Sequence, residues 1–253
     1  QDALKAFQAA LNIDLTENNA KDLAVAYLNI GNVYCELNDK PVSIEFFQKA
    51  KQAYAAIKDS AGMSFVLGNL SAVYIELKKY RQAEESLTEA VQIARMTGDR
   101  LGEAEWLLLL ALVDYEKGNY ADSYQALGNV ARRFQSMESF VQYGKTLIHM
   151  GKCKQKLREY TESEKLLIQA AENYESKNLH KELWRAQSGL AELYALMKRD
   201  NDADSLFRES VRRIEDSREG LNRELKTYFI EDDRLDVYRL YVFFLIRQKR
   251  NNE

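Results

Sequence analysis

Apolar residues recur along this chain at helical spacing, and the whole pattern returns every forty residues. Between Lys79 and Ala90, Ala83, Leu87 and Ala90 stand on one helical face. Steps of forty lead from them to Ala3, Phe7 and Ala10; to Ser43, Phe47 and Ala50; to Ser123, Leu127 and Val130; to Ser163, Leu167 and Ala170; and to Ala203, Phe207 and Ser210. A second column of small residues, Gly31, Ser71, Ala111, Gly151 and Ala191, falls in the alternate helices. Small and large residues held at fixed offsets through successive copies mark stacked helix pairs, because one pair alone cannot bury its apolar face.

The pattern predicts an unpaired helix from Gln1 to about Glu17, then pairs over 20–37 with 41–57, 60–77 with 80–96, 100–117 with 120–136, 139–157 with 160–176 and 180–197 with 200–217. Pro41 suits a helix start, where its missing N–H would be unpaired anyway. The half-pair at the beginning, and the absence of a Met at Gln1, imply that preceding residues were trimmed. Past Ser217 the columns fade: the next step puts Glu231 at a small position and Phe243 where Ala or Ser is expected. Helices are still predicted over 219–230 and about 233–249, but Leu240 to Ile246 is apolar on every side. Such a helix is normally buried all round. It is expected to cap the last repeat with one face and to offer the other to a neighbouring domain. The expected organisation is a repeat array over 1–217, a half repeat and five full ones, followed by capping or linker helices over 218–253.

The run Tyr27-Leu28-Asn29-Ile30-Gly31-Asn32-Val33-Tyr34, followed by Ser43, Phe47 and Ala50, resembles the tetratricopeptide repeat (TPR). The resemblance implies an all-α, right-handed superhelical solenoid of antiparallel helix pairs, with a concave inner face that is lined by the first helices and binds proteins or peptides. Two departures matter. The family's usual repeat is about 34 residues, and the places where a Pro often ends the second helix hold Ala55, Arg95, Gln135 and Glu175. The helices therefore run on, gaining about 9 Å per pair at 1.5 Å per residue. The tail, Glu224-Leu225-Lys226-Thr227-Tyr228-Phe229 and then Asp236-Val237-Tyr238-Arg239-Leu240-Tyr241, resembles the segment that joins TPR arrays to a CHAT domain, a caspase-like protease domain. That resemblance implies the sensor part of a larger protease; the alternative is a standalone adaptor or signalling scaffold. No catalytic residue of such a domain has a counterpart here.

Composition narrows the picture further. With Gly 11 and Pro 1, the chain has little turn chemistry for an all-β fold. A net charge of −3 gives no general attraction to nucleic acid or anionic membrane. Short basic pairs such as Arg132-Arg133 and Arg212-Arg213 do not make an RNA-reading face. Cys35 and Cys153 lack metal-ligand spacing, and adjacent acids such as Glu84 and Glu85 diverge around their helix. The expectation is a cytoplasmic, non-catalytic protein without a cofactor, not bound to a membrane, whose arrays could self-associate.

Recognition is therefore sought on the first helices. Asn29 and Asn69 are forty residues apart, and Asn32 lies one turn from Asn29. Amides both donate and accept, so they suit either an extended peptide backbone or the neighbouring helix. Leu108, Leu109 and Leu112, extended by Tyr115, are apolar where other repeats are polar, either as a partner's anchor site or as residues buried between layers. Lys145, His149, Lys152 and Lys156 recur at steps of four, three and four, and Arg185 matches Lys145 in the next repeat. That face would attract carboxylate or phosphate groups, or else is a solvated charge run. Glu36, Glu76 and Glu116 carry the same register earlier in the chain. A Cys–His dyad of Cys153 with His149 is disfavoured, since Cys153 faces the core beside the small column.

Overall fold

A computed structural model describes residues 20–219 and 232–251. The helix expected over 1–17, and nearly all of that expected over 219–230, lie outside the described residues. Within them the chain is all α, in eleven helices. It divides into two compact units, residues 1–119 and 120–253.

In the first unit α1 (Ala20–Glu36) pairs with α2 (Lys40–Ala56), α3 (Ser60–Glu76) pairs with α4 (Tyr80–Thr97), and α5 (Arg100–Glu116) packs on both α3 and α4. The second unit starts with α6 (Tyr120–Ser136), packed on α7 (Phe140–Lys156). There α7 pairs with α8 (Tyr160–Ser176), α9 (Leu183–Leu196) pairs with α10 (Asp200–Glu219), and α11 (Asp232–Asn251) lies against α10 and α9.

The two sequence columns meet inside each pair. Phe47, Leu87, Leu127, Leu167 and Phe207 are all buried, and at Phe47 and Leu167 a glycine of the paired helix lies against the large side chain. A Cβ added to Gly31 would stand 2.6 Å from the Phe47 ring, and one on Gly151 would stand 3.0 Å from Leu167. The serines of the second helices tie the same contact, since Ser43 Oγ donates to Gly31 O and Ser163 Oγ to Gly151 O, both at 2.9 Å. In the first unit the Trp106 indole N–H donates to Ser64 Oγ at 2.9 Å, closing a buried polar pair.

Turns follow a period of their own. Asn38, Lys58, Lys78, Gly98, Gly118, Glu138, Arg158, Asn178 and Lys198, spaced twenty apart, all have positive φ. Each closes its helix in the same way. Asn38 N–H donates to Cys35 O and Asp39 N–H reaches back to Tyr34 O, and the pair of bonds recurs at every later turn. This left-handed cap satisfies carbonyls that the helix leaves open. The next residue then starts the following helix, with Asp39, Asp59 and Asp99 accepting from backbone N–H groups three residues on. After Leu179 the chain adds a turn, with Glu182 N–H donating to Leu179 O at 2.9 Å, and α9 begins at Leu183 rather than at the expected residue 180.

One face of α11 packs on α9 and α10. Val237 joins Trp184 and Ile214 in a small core, while Tyr241 and Phe244 lie 5.3 and 5.6 Å from the Phe207 ring. Tyr241 Oη donates to Asp204 Oδ1 at 2.8 Å, Tyr238 Oη donates to Glu215, and Arg247 Nη2 donates to Ala195 O at 2.7 Å. Val242, Phe243, Leu245 and Ile246 remain exposed.

Five of the left-handed positions carry Lys, Glu or Arg, side chains that disfavour this conformation by about 1 kcal/mol. Replacing Lys58, Lys78, Glu138, Arg158 or Lys198 by Gly should each raise stability by about 0.5–1 kcal/mol, read as a higher urea midpoint at unchanged slope. A lower midpoint would show that these turns are not strained.

Candidate functional site

In the second unit α7 and α9 are first helices of neighbouring layers, so residues forty apart come side by side. Lys145 is in register with Arg185, His149 with Gly189, and Lys152 with Glu192. Between these helices and α11 lies a pocket of about 230 Å³. Its α7 wall is Lys145, Ile148, His149 and Lys152; its α9 wall is Trp184, Arg185, Ser188, Gly189 and Glu192. Asp236, Val237 and Leu240 of α11 form the third wall. At Gly189 a Cβ would stand 2.8 Å from Leu167, so α9 sits against α8 as close as a bare backbone allows.

Positive charge gathers around a partly apolar floor. Arg185 is held by Glu182 at 2.7 Å, and its guanidinium lies 4.4 Å from the centre of the Trp184 ring. Lys152 forms no hydrogen bond or ion pair among the described residues. Burial, and then the charges of Lys152, Lys145 and Arg185, push the His149 pKa down to about 3. The imidazole is therefore neutral at pH 7 and offers one donor and one acceptor. Beneath it Cys153 is a free, buried thiol whose Sγ donates to Ser123 Oγ at 3.5 Å, and burial raises its pKa. The thiol's hydrogen-bond partner is thus Ser123, and among the described residues no hydrogen bond joins it to His149.

The other residues singled out from sequence are placed elsewhere. Lys156 is exposed in the last turn of α7, outside the pocket. In the first unit Asn69 Nδ2 donates to Asn32 Oδ1 at 3.0 Å, so that amide pair ties α3 to α1, while Asn29 is half-buried on α1. Leu108, Leu109, Leu112 and Tyr115 are half-buried along α5, and Leu109 packs against the unit's core. Sequence reasoning missed Trp184, Glu192 and the whole α11 wall. Glu192 could have been found, because it lies forty residues after Lys152. Asp236, Val237 and Leu240 could not, since α11 lies outside the repeat columns.

The forty-residue columns, the paired helices and the repeated caps form one pattern. Residues 62–135 match the family model described as tetratricopeptide repeat. Residues 62–135 thus carry the tetratricopeptide-repeat pattern. Solved TPR-like structures show the same helical-solenoid fold at low identity. BtubC (BKLC) from P. vanneervenii has a TM-score of 0.69 at 11% identity, covering 87% of this chain and 92% of that one. The Rap protein complexed with competence and sporulation factor has a TM-score of 0.69 at 14% identity, covering 98% and 84%. NprR in complex with its cognate peptide NprX has a TM-score of 0.69 at 14% identity, covering 99% and 69%. No curated protein sequence matches the chain. Among the described residues, no helix is long and apolar enough to cross a membrane, and no group of three or more His, Cys, Asp or Glu could hold a metal ion.

The pocket makes stability depend on pH with a definite sign. In the unfolded chain His149 takes up a proton below about pH 6.5, whereas in the fold it stays neutral to about 3, so its contribution is full above 6.5 and is lost as pH falls. The depressed carboxyls of Asp204 and Glu209 act only at lower pH. Between pH 6.5 and 5 the protein should lose about 1 kcal/mol or more of unfolding free energy, and His149→Gln should remove most of that slope. An unchanged slope in the variant would show that His149 ionises freely in the folded protein.

Proposed function

We propose that this chain is a non-catalytic scaffold that recognises a protein or peptide bearing acidic groups, and that it does so in the pocket between α7, α9 and α11. The observation that carries this reading is the convergence of Lys145, Lys152 and Arg185, from two helices, on one hollow with an apolar floor. Cations held against low-dielectric walls attract carboxylate and phosphate more strongly than the same charges on open surface. Two proteins of the same fold were solved with a bound factor or peptide, Rap with competence and sporulation factor and NprR with NprX, which supports a ligand-binding use of such helices. Asn29, with Asn32 and Asn69, and the Leu108, Leu109, Leu112 and Tyr115 stripe are further surfaces for a ligand's backbone and apolar side chains.

A finer reading makes this chain the cytoplasmic sensor part of a TPR-CHAT protease. It rests on the resemblance of the tail around Asp236 to Tyr241, and it is favoured by the apolar outer face of α11, where Val242, Leu245 and Ile246 are exposed. Reading the encoded protein beyond Glu253 decides between this and a standalone adaptor: separated His and Cys in a strand-rich domain support the protease, and an early stop supports the adaptor.

The recognition reading is tested with fluorescein-labelled peptides rich in Glu and Asp. Reversing Lys145 and Lys152 to Glu should weaken binding at least tenfold, since truncating one partner of a desolvated charge pair costs about 2 kcal/mol or more. Helicity and melting temperature should not change. Equal affinity in the variant would overturn the proposal.

A further inference from the structure

A second hollow adjoins the first. It measures about 190 Å³ and lies between α9, α10 and α11, lined by Leu196, Phe207, Phe243 and Phe244 among others. Glu192 and Leu240 belong to both hollows, so the two share a wall. They differ in chemistry. The first gathers Lys145, Lys152 and Arg185, whereas the second is apolar apart from Glu192 and Arg247 at its edges.

Arg247 is already engaged, donating to Ala195 O at 2.7 Å and lying 3.6 Å from Asp200, so it braces α11 against α9 and α10. The floor is rigid, because the rings of Phe207, Tyr241 and Phe244 pack on one another and Tyr241 is tied to Asp204. At its mouth Phe243 is 70% exposed and Leu196 48% exposed. Large apolar side chains left open beside a stiff aromatic floor have the form of an anchor site for a partner's apolar residue.

We infer that the two hollows are halves of one recognition surface, which takes a segment carrying an acidic group for the first hollow and a bulky apolar side chain for the second. This rests on the acidic-ligand reading of the first hollow and adds to it the partner's second determinant and its spacing. Arg185 and Leu196 are eleven residues apart on α9, about 16 Å along the axis at 1.5 Å per residue. An extended chain covers that distance in about five residues. The acidic and apolar residues of the partner are therefore three to six positions apart (roughly) when the segment is extended. Glu192, on the shared wall, disfavours a second acid between them.

The test uses fluorescein-labelled Gly/Ser peptides with two adjacent Glu, with one Phe, or with both, the Phe placed at increasing distance on either side. Anisotropy titrations should show a composite peptide with the predicted spacing binding at least tenfold tighter than the Glu-only peptide. Leu196→Ser and Phe243→Ser, both at exposed positions, should erase that gain while leaving Glu-only binding and the melting temperature unchanged. Lys152→Glu should weaken both peptides alike. Glu-only and composite peptides that bind equally, or a gain indifferent to spacing and to both Ser variants, would overturn this inference and leave the acidic-ligand reading standing. No binding by either Glu-bearing peptide would overturn both.

Discussion

The left-handed residue at every turn is the constraint on which the rest depends. It lets one helix end and the next begin within three residues, and it recurs at twenty-residue intervals from Asn38 to Lys198. Because the interval does not drift, residues forty apart fall on equivalent helices at equivalent heights. Large side chains such as Phe47 and Leu167 then meet small ones such as Gly31 and Gly151 without adjustment. Hydrophobic burial stabilises each layer, but the turns decide which residues are buried together. The conformation is costly for Lys, Glu and Arg, and it persists because each turn closes two backbone hydrogen bonds.

The same register builds the pocket. Lys145 and Arg185 come together because their columns match, and Gly189, in the column that holds Asn29, Asn69, Leu109 and His149, lets α9 approach Leu167. The third wall comes from outside the repeat, so this site combines periodic and non-periodic parts of the chain.

Those two origins explain what was legible in the sequence. Helices, pairing and the small-on-large contact follow from local periodicity, and they were readable because each copy repeats the evidence for the others. Lys145, His149, Lys152 and Arg185 were readable as one face for the same reason. The late start of α9 was not, because the extra turn over 179–182 leaves no mark in the apolar periodicity. The turn period was available in Asn38, Gly98, Gly118 and Asn178, residues that tolerate positive φ, although Lys and Arg at the other turns obscured it. The α11 wall depends on how a non-repeating helix docks, and the sequence showed only a helix apolar on every side.

The chain has Trp 2, and the fold assigns one to each unit. Trp106 is buried in the first unit with its indole N–H on Ser64. Trp184 is buried in the second unit beneath the Arg185 guanidinium, on the wall of the pocket. The molecule therefore contains two tryptophans in unlike surroundings, one on a serine hydroxyl and one beneath a cation, each placed to report the melting of its own unit. Replacing either by Phe would separate their emission, so the cooperativity between the two halves can be followed optically without attaching any dye.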